Sequence, residues 1–98
     1  MSNDTTVLEM LGNSLTDLEV RYRATTDFAT QQQLEPKMED VLAQYAALRT
    51  KLRQGEVIIT AEDIAGMTEI RNDIDAAAEK QSMLLAIART AAFIGLHV

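Results

Sequence analysis

The stretch that most constrains this chain runs from Thr60 to Leu96, where a helix start signal opens onto a long run of helix-favouring, largely apolar residues. In Thr60-Ala61-Glu62-Asp63 the threonine hydroxyl is placed to accept from the third backbone N–H, and the acids sit in the first turn, where the helix dipole favours negative charge. Met67, Ile70, Ile74, Ala77, Gln81, Leu84, Ala88 and Ala91 then recur at alternating steps of three and four, the spacing of a seam packed against other helices. The pattern predicts one long helix over 60–96.

Upstream, Leu8, Leu11, Leu15, Leu18 and Tyr22 keep the same alternation and predict a first helix over about 4–24. Gly12 inside it costs about 1 kcal/mol relative to alanine. With Asn13 and Ser14 beside it, this reads as the least stable helix, open to fraying. The register then breaks, because its continuation would place Thr25, Gln32 and Pro36 at the seam. A second stripe, Leu34, Met38, Val41, Tyr45, Leu48 and Leu52, predicts a second helix over about 26–54. It is capped by Thr25 or Thr26 and kinked at Pro36, the rival start being Pro36 itself. Lys51 and Arg53 suit the negative end of its dipole, and Gly55 suits the left-handed residue just past the last turn. Val57-Ile58-Ile59 is too short to pair as a strand and reads as an extended connector, with Ile59 placed to pack on Ile64. The expected fold is all-α, a single domain over 1–98 of three helices in up-down-up order. Its second and third helices form a long antiparallel hairpin, and copies assemble into an oligomeric helical bundle.

The C-terminal half of the third helix carries the functional expectation. Leu84, Leu85, Ile87, Phe93, Ile94 and Leu96 point in nearly every direction around a helix, more than one hairpin partner can cover. They are the predicted protein interface, with Ala88, Ala92 and Gly95 letting another helix come close. Ser82, Arg89 and His97 mark the least apolar side.

Other chemistries find little support. The net charge of −6 opposes nucleic-acid binding, which draws on Lys and Arg at phosphates. Without cysteine there is neither a disulfide framework nor a thiolate metal site. Glu35 with Glu39 and Glu69 with Asp73 have the spacing that brings carboxylates together on a helix, yet solvated surface explains them as well. A bundle di-metal centre needs repeated Glu-x-x-His elements, and this chain has one histidine, His97, read as a solvent-facing residue near the terminus. No Gly-x-Ser-x-Gly turn, Walker loop or dinucleotide fingerprint occurs, so neither catalysis nor a cofactor is expected. Tyr22 and Tyr45 fall on seams and read as packing residues.

The polar, acidic start lacks the basic and apolar regions of a signal peptide. The most apolar window, Met83 to Val98, is shorter than the roughly 20 residues of a spanning helix and carries Arg89. Contact with a membrane surface is disfavoured because only Lys80 and Arg89 lie near that window. A cytoplasmic protein is expected. In size and helical character the chain is similar to the small helical-hairpin proteins exported by bacterial type VII systems. Their Trp-x-Gly turn is absent, since there is no tryptophan, and the likeness carries no residue across. The expected function is a non-catalytic interaction module, a scaffold, adaptor or chaperone-like protein that self-associates or binds a helical partner. The alternative is a small acidic inhibitor that blocks a basic site on an enzyme or nucleic-acid-binding protein.

Overall fold

In the computed structural model, residues 3–98 are described, and they form four α-helices: α1 (Asn3–Ala24), α2 (Phe28–Arg53), α3 (Ala61–Asp75) and α4 (Lys80–Gly95). The all-α expectation stands. The three-helix expectation does not, because the helix predicted over 60–96 is broken at residues 76–79. Ala76 is still near-helical, but Glu79 is extended (φ −121°, ψ 164°) and begins a new helix. The carbonyl of Ala77 is captured by Arg21 of α1, whose guanidinium donates to it at 2.9 Å, and Ala77 itself is buried. A tertiary contact thus overrides a local sequence, Asp-Ala-Ala-Ala-Glu-Lys, that favours helix throughout.

The start of α3 and the end of α2 follow local rules, whereas α2 begins after Asp27 rather than after the expected Thr25 or Thr26 and has no side-chain cap bond. Thr60 and Asp63 form a reciprocal capping box: the threonine hydroxyl accepts from the Asp63 N–H, and the Asp63 carboxylate accepts from the Thr60 N–H. Ile59, just before the cap, and Ile64, four residues after it, both join the core. At the end of α2, Gly55 (φ 72°) permits paired bonds from the Gly55 N–H to the Leu52 carbonyl and from the Glu56 N–H to the Lys51 carbonyl. This is the Schellman arrangement that satisfies carbonyls left over at a helix end. Pro36 lies inside a continuous α2, where it removes one N–H from the ladder without displacing Leu34 or Met38 from the core.

Hydrogen bonds at the ends fix how the helices lie. The Asn3 amide donates to the Ile59 carbonyl, and Arg21 to that of Ala77, so α1 and α3 run side by side in one direction. Tyr45 meets α1 at Gly12, and Tyr22 meets α2 near Met38, so α2 runs opposite to α1. Asp73 pairs with Arg89 and Asp63 with His97, so α4 runs opposite to α3. Around the bundle the order is α1, α2, α4, α3, with the 54–60 connection crossing the diagonal. This corrects the expected hairpin of second and third helices: α3 lies on α1 and α4, not beside α2.

The core is continuous. From α1 it takes Val7, Leu11, Leu15 and Leu18, and from α2 the whole stripe from Leu34 to Leu52, Tyr45 being half-buried. Met67, Ile70 and Ile74 come from α3, and Met83, Ala86, Ile87, Phe93 and Ile94 from α4. Thr90 is fully buried yet satisfied, donating to the Ala86 carbonyl one turn back at 2.8 Å.

Candidate interaction surface

The break at 76–79 decides what α4 offers to a partner. Folded back, α4 meets α2 on one side and α3 on the other and also touches α1. Three helices of its own chain therefore cover it, where a straight hairpin would supply one. Ile87, Phe93 and Ile94, predicted as interface residues, are consequently core residues at 3%, 8% and 0% exposure. They are corrected on that ground: a single copy shelters them. Leu84 is half-buried, while Leu85, Ala88, Ala92, Gly95 and Leu96 remain exposed.

Leu85, Ala88, Ala92 and Leu96 follow steps of three, four and four, which places them in one stripe along the outside of α4. Leu85 is 52% exposed and Leu96 is 83% exposed. A cleft flanks the stripe on each side. The one between α2 and α4, about 560 Å³, has Leu84, Leu85, Ala88 and Ala91 along its apolar wall and Lys37, Asp40 and Gln44 on its rim. The one between α3 and α4, about 430 Å³, runs from Gly66 and Ile70 to Ala92, Phe93 and Leu96, with the Asp73–Arg89 ion pair beside it. A side chain added at Gly66 or Gly95 would meet open space, so neither glycine is required by packing within the chain.

Set against known protein families, curated proteins and solved structures, the chain gives no significant match.

His97, which the sequence suggests is solvent-facing, is largely buried and closes the end of α4 onto α3. Its Nδ1 lies 2.9 Å from the Phe93 carbonyl oxygen and its Nε2 lies 3.2 Å from an Asp63 carboxylate oxygen, with the ring against Phe93. Both ring nitrogens thus face acceptors. A neutral imidazole donates from only one nitrogen, and the protonated ring donates from both. The Thr60 backbone N–H holds the Asp63 carboxyl below its usual range, helped by His97 and the Thr60 hydroxyl and opposed by partial burial. No feature of the sequence near His97 pointed to Asp63, which lies more than thirty positions earlier.

The paired acids do not converge as a metal would need. Glu35 and Glu39 are exposed and line, with Glu19, Arg23 and Tyr22, a cleft of about 390 Å³ between α1 and α2. Asp73 is engaged by Arg89, and Arg23 by Glu19. Among the described residues no three His, Asp or Glu side chains form a candidate metal cluster. No described helix is long and apolar enough to cross a membrane.

Proposed function

We propose that this protein is a non-catalytic interaction module that binds a helix, from another copy of itself or from a different protein, along the outer face of α4. The observation that carries this reading is the uncovered apolar stripe Leu85-Ala88-Ala92-Leu96 between two clefts. An amphipathic helix fits such a surface by seating large side chains in the clefts and small ones over the alanines. The isolated exposure of a Leu carries no weight, but a stripe in register with two grooves is the form that helix recognition takes.

Light-scattering mass across a concentration series tests it, comparing the wild type with Leu85→Asp/Leu96→Asp. Both positions are exposed, so the variant should stay folded with stability within about 0.5 kcal/mol of wild type. The wild type should associate further than the variant, which should lose the part of the association that runs through this face, since a buried unpaired carboxylate costs several kcal/mol. Equal association by both proteins would defeat the reading.

A second reading draws on the cleft between α1 and α2, where Glu19, Glu35 and Glu39 gather with only Arg23 opposing them. A basic segment of an enzyme or nucleic-acid-binding partner would be its occupant, and the protein would act as an acidic inhibitor.

A further inference from the structure

The linker between α3 and α4 is in conflict with its own sequence. Residues 75–80 read Asp-Ala-Ala-Ala-Glu-Lys, with no glycine, proline or Asn to stop a helix, and the seam from Met67 to Ala91 runs through them without a change of register. Among the described residues the only positive φ belongs to Gly55, so nothing in the backbone of 76–79 resists helical geometry. The new helix is also poorly started, because Glu79 at its N-cap makes no side-chain capping bond. The bend is held instead from outside, by the Arg21 bond to the Ala77 carbonyl and by docking of the buried face of α4.

Because α3 and α4 are antiparallel neighbours, opening this hairpin in two copies leaves two straight helices over 61–95 lying antiparallel, each about 52 Å long at 1.5 Å per residue. The α4 of each copy then occupies the place that α4 of the other has vacated. Every core contact of Met83, Ile87, Phe93 and Ile94 is re-made, and the N–H groups of residues 78–82 gain the carbonyls of 74–78. The cost is the Arg21–Ala77 bond and the turn bond from the Ala77 N–H to the Ile74 carbonyl. The arrangement closes on a two-fold axis, so it ends at a dimer.

From this we infer that the protein forms a domain-swapped dimer, with a second copy of the chain as the partner, in which residues 76–79 become helical and α4 is exchanged. The inference is independent of the outer face of α4, which stays exposed in both forms.

The absence of native cysteine makes the exchange directly readable. Full-length Asp73→Cys and Arg89→Cys chains, each unable to cross-link internally, are mixed, refolded together at high concentration and treated with a short bis-maleimide. The ion pair they replace is partly exposed, 53% at Arg89 and 33% at Asp73, so its loss leaves the fold in place. The expected product is a covalent heterodimer, because position 89 of one chain sits on position 73 of the other. In the wild-type background, Ala76→Gly/Ala78→Gly alters only exposed linker positions. With four glycines per dimer, it should lower the dimerisation constant by roughly two to three orders of magnitude. Arg21→Met, which removes the latch, should raise the dimer fraction. Monomer alone at every concentration, a dimer giving no cross-chain product, or a dimer indifferent to the glycines each overturns the inference. The last two would leave association through the outer face standing, and only Leu85→Asp/Leu96→Asp would dissolve that form.

Discussion

At the scale of single residues, Gly12 shows how a weak helix former can be required by its neighbour. A Cβ built there would lie 3.2 Å from the Tyr45 hydroxyl, closer than side chains ordinarily approach. Gly12→Ala should therefore gain less than the roughly 1 kcal/mol of helix propensity available to it. In a Tyr45→Phe background, where the hydroxyl is gone, the same substitution should gain nearly all of it, and a double-mutant cycle by urea denaturation measures the difference. Thr60 and Asp63 are the contrasting case, since their pairing is local and was legible in the sequence. Asp63→Ala should cost about 1 kcal/mol at neutral pH. Because the folded state holds the Asp63 carboxyl low, this contribution is present above the unfolded carboxylate value near 4 and is lost as pH falls through the lower folded value. The gap between wild type and variant, measured by denaturation at a series of pH values, should shrink in acid. The partnership of Asp63 with His97 was not legible, for it joins residues brought together only by the turn at 76–79.

At the scale of elements, the stripes were readable and their partners were not. The α2 stripe from Leu34 to Leu52 is the core face as its periodicity implies. In α1 the buried face is turned slightly, with Val7 fully buried where Leu8 was expected and Leu8 only half-buried. Composition around Gly12 suggested a helix open to fraying, but α1 lies between α2 and α3 and buries Leu11, Leu15 and Leu18. Leu11→Ala should accordingly cost about 2–5 kcal/mol and lower the single unfolding transition of the whole chain, rather than detach one helix. Calorimetry distinguishes the two outcomes. Pro36 tests the opposite kind of misfit. It sits exposed in the interior of α2, so Pro36→Ala restores a ladder bond to the Gln32 carbonyl. It should stabilise the protein by about 1–3 kcal/mol, less what the unfolded chain gains in freedom.

At the scale of the whole molecule, the break at 76–79 redistributes the apolar surface. A straight third helix would have left the C-terminal half greasy on several sides, whereas the bent chain takes Ile87, Phe93 and Ile94 into its own core. No periodicity count could reveal this, because Arg21 and Ala77 are far apart in sequence and nothing in Asp75-Ala76-Ala77-Ala78-Glu79-Lys80 signals a turn. What remains is a narrower apolar stripe on α4 and an acidic cleft on the other side of the bundle, and these answer to salt in opposite ways. Screening at about 1 M salt shortens the reach of charges to about 3 Å, while water's exclusion of apolar surface is unaffected or strengthened by excluded salts such as sulfate. Association through Leu85, Ala88, Ala92 and Leu96 should therefore hold or tighten when light scattering is repeated in molar sulfate. Capture of a basic peptide by Glu19, Glu35 and Glu39 should fall at least tenfold over the same range, with Glu35→Gln/Glu39→Gln reproducing the loss at low salt. If self-association melts away in salt while the charge-neutral variant behaves as wild type, the α4 face is not what holds copies together.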